Sequence, residues 1–112
     1  MTMDSATPSA LTPDTLAILG ELQEGACRRI DQSDGSSLIA LRRNGAVRLF
    51  RNRCPHRGIE LDWVPGAFLA VDGHHLQCAT HGALFDPLSG VCISGPCAGD
   101  ALQRLDHGHR TG

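Results

Sequence analysis

Apolar residues in this 112-residue chain recur in short alternating runs broken by turn residues, not at helical spacing over long windows. Alternation over about four to eight residues marks a half-buried strand, because successive side chains of an extended chain point to opposite faces. Residues 37–43 read as a strand. Residues 46–52 form its partner, with Val47, Leu49 and Arg51 on one face and Arg48 and Phe50 on the other. Asn44-Gly45 between them is the strongest hairpin signal in the chain, since both positions of that tight turn take positive φ. A second hairpin is expected from 68–71 through Asp72-Gly73 to 74–77. Residues 26–31 alternate more weakly and stop at Ser33-Asp34-Gly35-Ser36, a turn cluster. Residues 16–19 read as a first short strand before a turn at 21–25, and Asp86-Pro87-Leu88-Ser89-Gly90 is a tight turn leading into 91–93. Residues 102–105 are expected to close the sheet. No window longer than about ten residues keeps a 3.6-residue period, so the pattern predicts an all-β, antiparallel protein.

Thirteen glycines and six prolines fit that turn-rich reading. The length suits one domain, placed at 14–106, with a polar leader at 1–13 and a polar tail at 107–112. A formal charge of −2 and the lack of any basic run argue against nucleic-acid binding. No stretch approaches the roughly 18–20 apolar residues of a membrane span, and the first residues lack the cationic start and apolar run of a secretory signal. A cytoplasmic location is expected. With three Phe, one Trp and no Tyr, the core is expected to rest on Leu, Val, Ile and Ala. Five cysteines is an odd number, so ligand or thiol roles come before a disulfide framework.

The candidate chemistry lies in two loops, each placed just after an expected strand. Cys54-Pro55-His56-Arg57-Gly58 follows the 46–52 strand, and Cys78-Ala79-Thr80-His81-Gly82 follows the second hairpin. Each brings one thiol and one imidazole, spaced C-x-H in the first and C-x-x-H in the second. Each then reaches a glycine, which lets the backbone turn sharply and bring its amides close to a buried group. A structural Cys2His2 zinc site is the rival reading, but such sites usually pair like ligands closely, and here each loop holds one of each kind.

This pairing resembles the Rieske family, whose signature is C-x-H, a spacer and C-x-x-H. The likeness extends to Gly58, Gly82, Phe85-Asp86-Pro87, Gly90 and Gly95-Pro96, with a spacer at 57–77 somewhat longer than in small carriers. The resemblance implies the Rieske fold, an antiparallel β-sandwich or barrel-like base with a small inserted cluster-binding subdomain, here about 52–97. It implies one [2Fe–2S] cluster per chain, with Cys54 and Cys78 on one iron and His56 and His81 on the other. Two ferric ions, two sulfides and two thiolates sum to zero charge, so such a centre accepts an electron more readily than an all-cysteine one.

Quinol-oxidising members carry an extra cysteine in each loop, where this chain has Ile59 and Thr80, so their loop disulfide cannot form. The same members place a Ser two residues after the second His and a Tyr four after it; here Ala83 and Phe85 stand there. A potential near the low end of the Rieske range, about −150 mV, is therefore expected. The 31 residues after His81 are too few for an oxygenase catalytic domain, and Asp106, His107 and His109 read as a solvated tail. The resemblance thus implies an electron carrier with no substrate turnover of its own, monomeric when isolated. It would run between a flavin-dependent reductase and a terminal oxygenase or reductase. Two other functions stay open: the small Rieske-like subunit of a larger reductase such as a nitrite reductase, and a zinc-stapled binding module.

The remaining residues are weighed more simply. Cys27 and Cys92 fall in expected strands, where a cysteine is most often a small buried hydrophobe. Cys97, after Gly95-Pro96, is placed near the cluster with a redox role open. His74 and His75 read as exposed hairpin residues, and Trp63 as packing under that hairpin. Arg51, Arg53 and Arg57 surround the first loop, either as a docking patch for an acidic redox partner or as a solvated strand edge.

Overall fold

The computed structural model describes residues 13–55, 58–62, 64–80 and 82–105, apart from the Asp14 side chain. The expectations for the 1–13 leader (all but Pro13), Arg57, Trp63 and the tail from Asp106 onward lie outside those residues, as do the two histidines His56 and His81.

Two three-stranded antiparallel sheets make up the fold. The first has the order β1 (Cys27–Asp31), β2 (Ser37–Arg43), β3 (Ala46–Arg51). The second, with much shorter strands, has the order β4 (Leu76–Gln77), β5 (Leu84–Phe85), β6 (Cys92–Ser94). The Asn44-Gly45 hairpin forms where the sequence predicts it, with φ of 55° and 76° at its two residues. Glu24 caps its tip, accepting hydrogen bonds from both backbone amides at 2.6 and 2.9 Å. In the second hairpin the ladder shortens to a bridge between Leu69 and Leu76 beside β4. The 102–105 segment is no full strand: it runs along β3 through an Arg104–Phe50 bridge and amide bonds from Arg51 to Gln103 and from Leu105 to Leu49.

Residues 16–19 are not a strand but part of a helix, α1 (Pro13–Glu21). Proline suits the first turn of a helix, where its missing N–H costs nothing. With only nine residues, α1 is too short for its period to show in a long window. Ile18 and Leu19 pack it against the first sheet.

The first sheet is buried on both faces, and β2 is the strand at its centre, with Ser37 to Leu41 all buried. One face joins Leu38, Ala40 and Leu49 with Leu22, Ile30 and Leu105, covered by α1. The other joins Ile39, Leu41 and Phe50 with Leu76, Phe85 and Cys92 of the second sheet. The core does not rest on aliphatics alone. All three Phe, at 50, 68 and 85, are essentially fully buried in this second cluster, and each can bury on the order of 150–250 Å². Among the described residues, no helix is long and apolar enough to cross a membrane.

Candidate metal centre

Cys54 and Cys78 are both fully buried and belong to the same apolar cluster, between the sheets. Each is the first residue of a turn that closes on itself in the same way. The Cys54 amide donates to the Ile59 carbonyl (2.6 Å) and the Gly58 amide returns a bond to the Cys54 carbonyl (2.6 Å). In the second loop the Cys78 amide donates to the Ala83 carbonyl (2.9 Å) and the Gly82 amide to the Cys78 carbonyl (2.8 Å). Gly58 and Gly82 close the two turns with φ of 72° and 70°, a conformation that strains any residue with a Cβ. A bond from the Ala79 amide to the Leu61 carbonyl (2.9 Å) ties the second loop to the chain leaving the first.

The same closure occurs a third time, from Asp86 to Val91 with Gly90 between. There the first side chain is a carboxylate that accepts from the Ser89 amide and hydroxyl. The Ser89 hydroxyl bond, against some burial, holds Asp86 below the usual carboxylate range. The backbone frame is therefore general, and the first residue decides what it carries.

A polar network fixes the first loop from below. Asn52, two residues before Cys54, is buried and donates to Ser37 Oγ (2.9 Å) and Asp62 Oδ1 (2.8 Å), while its own Oδ1 accepts from the Leu61 amide (2.8 Å). Asp62 also accepts from the Gly66 amide and from Arg29, whose guanidinium reaches Glu60 as well. Burial pushes the Asp62 carboxyl up, but the bonds from Asn52, Gly66 and Arg29 outweigh it and hold the group below its ordinary range. No motif in the sequence marks these residues. Asn52 and Asp62 are ten positions apart, and only the fold brings them together.

A lid covers the second loop. Gly95 takes a φ of 109°, and a Cβ there would lie 2.8 Å from the Ala83 Cα, so its backbone rests directly on the residue that closes the Cys78 turn. Just beyond, the Cys97 and Cys92 sulfurs stand 3.0 Å apart, both buried. Burial pushes the Cys97 thiol up to about 12, the hydrogen bond to Cys92 adds to this, and the neighbouring Cys54 contributes further. The expectation that Cys97 lies near the candidate centre agrees with that contact. Cys27, at the start of β1, is partly buried against the same cluster, and desolvation raises its thiol to about 12 as well. None of the five cysteines, all among the described residues, is in a disulfide.

His75 pairs with Asp72 (2.7 Å), and His74 meets Arg43 (2.6 Å), both at the hairpin tip. Arg51 and Arg53 line an open pocket of about 490 Å³ with Cys54, Pro55, Gly58, Ala101 and Gln103. Two buried thiols, held by preformed turns in an apolar shell, suit a thiolate-bound iron–sulfur group, whose negative sulfurs favour a dry site with nearby amides.

Known proteins agree with this chemistry. A family model described as the Rieske [2Fe-2S] domain matches residues 15–105. The oxidoreductase NdmD of Pseudomonas putida is 36% identical over 58 residues, which is 52% of this chain but only 9% of NdmD. Two solved structures share the fold at 23% identity, each over 77% of this chain. One is a chain from a complex of reduced oxygenase and oxidized ferredoxin in carbazole 1,9a-dioxygenase (TM-score 0.56, 74% of that chain). The other is the ferredoxin of carbazole 1,9a-dioxygenase from Nocardioides aromaticivorans IC177 (TM-score 0.54, 78% of that chain). With most of its length matched to that model, this chain belongs to the Rieske [2Fe-2S] domain family, and its cofactor is a [2Fe–2S] cluster.

Proposed function

We propose that this protein is a single-electron carrier that binds its cluster through Cys54, His56, Cys78 and His81 and delivers electrons from a flavin-dependent reductase to a terminal oxygenase. The observation that carries the proposal is the pair of buried cysteines, each opening a self-closed turn and both set in one apolar cluster. His56 and His81 enter from the C-x-H and C-x-x-H spacing, with the thiolates assigned to one iron and the imidazoles to the other. When bound, the cluster supplies reversible one-electron transfer. The chain's own part is to hold two thiolates apart from water behind Phe68, Phe85, Leu76 and Leu102, and to fix the first loop through Asn52 and Asp62. A rigid, dry setting keeps reorganisation small when charge moves.

The choice of an oxygenase as acceptor is supported by the ferredoxin neighbours, whose own partner is the oxygenase of carbazole 1,9a-dioxygenase. A second reading has its own support: NdmD carries its matching segment as a small part of a much longer oxidoreductase, so this chain is alternatively the Rieske module of a larger enzyme. The folded unit is taken as 14–106 with the cluster-binding part at about 52–97, monomeric and cytoplasmic, in keeping with five cysteines outside any disulfide.

The test is a visible and EPR spectrum of the purified protein before and after dithionite, followed by gel filtration. A red-brown protein with a mixed Cys/His reduced signal, eluting as a monomer, is the expected result. Copurification with a larger enzyme would move the assignment to the module reading. A colourless protein holding one zinc would overturn both.

A further inference from the structure

We propose that Cys92 and Cys97 form a second redox site, a dithiol that closes to an intramolecular disulfide beside Cys54. The Cys97 thiol donates to Cys92 Sγ at 3.0 Å, and the Cys92 thiol in turn donates to the Ser94 carbonyl at 3.2 Å. A disulfide needs about 2.05 Å between sulfurs, so the pair must close by roughly 1 Å. The backbone already holds the two residues face to face: the Cys92 amide bonds the Asp100 carbonyl (2.7 Å), the Gly99 amide bonds the Cys92 carbonyl (3.0 Å), and the Asp100 amide bonds the Cys97 carbonyl (2.8 Å). Both sulfurs are buried, while the turn that joins the two residues is exposed at Gly95, Pro96, Ala98, Gly99 and Asp100. A small reagent would reach them where this turn moves, and none of the turn's residues lies in β2 or β3.

The oxidant is a small-molecule disulfide of the glutathione class. One thiolate of the pair attacks a glutathione sulfur, forming a mixed disulfide and releasing one glutathione thiolate. The second cysteine then attacks the mixed disulfide and releases the other. Two protein S–H bonds and the glutathione S–S bond break, one protein S–S bond forms, and the two electrons and two protons reduce the glutathione disulfide to two glutathione thiols. A two-electron thiol couple would thus sit against one ligand of a one-electron centre. The proposal rests on the sulfur geometry and stands whether or not the chain proves to be a free carrier.

The experiment takes the full-length, cluster-loaded protein, reduced beforehand, and equilibrates it in buffers of varied reduced and oxidised glutathione. Samples are acid-quenched, alkylated and measured by intact mass and fragmentation, with the visible spectrum recorded in parallel. The expected result is a species two hydrogens lighter, with the link mapped to Cys92 and Cys97, the visible spectrum retained, and full reversal by dithiothreitol. Cys92→Ser and Cys97→Ser should each abolish that species, leaving at most one glutathione adduct, while Cys27→Ser should keep it. If one serine variant fails to fold, the wild-type map and the other variant still decide. No thiol loss in oxidised buffer would overturn the proposal. So would a link that maps to Cys54 and Cys78, or one that persists in either serine variant.

Discussion

Ala83 occupies a position with two neighbours that matter: its carbonyl closes the Cys78 turn, and the Gly95 backbone lies on its other side. A serine in its place would add one hydroxyl donor with little extra bulk. A hydrogen bond that favours the reduced centre by about 1 kcal/mol corresponds to about 40 mV for one electron. We expect Ala83→Ser to raise the midpoint potential by about that amount, read by potentiometric titration. An unchanged potential would mean that the side chain faces away from the centre. At this scale the sequence was most legible where chemistry demands a residue type in a spaced motif, as with Cys54 and Cys78. It said nothing of Asn52, Ser37 and Asp62, whose bonding follows from burial and not from any pattern of neighbours. Cys92 and Cys97 fell between: Cys92 was legible as a buried thiol and Cys97 as a neighbour of the cluster, but five residues of sequence do not show that a turn folds one sulfur onto the other.

At the scale of elements, the two sheets differ in what holds them. β2 is hydrogen-bonded on both edges and buried on both faces, whereas β4 and β5 are two residues each and β6 three. Ladders so short contribute few bonds of their own, so the second sheet depends on the buried side chains and on whatever ties the two cysteine loops together. Hydrogen exchange should therefore split on metal removal. Amides of β4–β6 and both loops are expected to lose protection by tenfold or more, while those of β2 keep theirs (about 1.4 kcal/mol separates each decade). Uniform loss across both sheets would refute this division. The long strands were legible because the apolar run at 38–41 and the alternating run at 46–51 flank the Asn-Gly turn. Helix α1 was not, since four apolar residues in a nine-residue stretch fit a strand as well as one helical turn, and only packing against Leu38 and Leu49 decides.

For the whole molecule, acid and salt are the informative variables. Asp62 has a folded-state pKa held down by its hydrogen bonds, as has Asp86. A carboxylate with a depressed folded value adds stability above its unfolded pKa of about 3.9, and that stability is lost as pH falls through the lower folded value. The melting temperature should thus be nearly level from pH 7 to about 5 and fall below about 4. Asp62→Asn should start lower, by about 1.5–3 kcal/mol at pH 7, and fall less steeply in acid. A variant with the wild-type acid slope would show that Asp62 is not the group lost. Arg53 is exposed at the mouth of the pocket beside Cys54, and Arg51 lines the same opening. If that face receives an acidic partner, Arg53→Glu should slow electron transfer about tenfold or more at low ionic strength, with the difference fading at high salt. Stopped-flow kinetics across a salt series reads this directly, and equal rates at every salt concentration would place docking elsewhere.

The threefold use of one turn frame, opened by Cys54, by Cys78 and by Asp86, bears on how such a centre can be built or altered. Each frame is a six-residue cassette closed by two backbone bonds, one from the first amide to the sixth carbonyl and one from the fifth amide to the first carbonyl, and all three have glycine at the fifth place. A binding site made this way can change its grip by editing two short inserts, and the third cassette marks where a further one could be written.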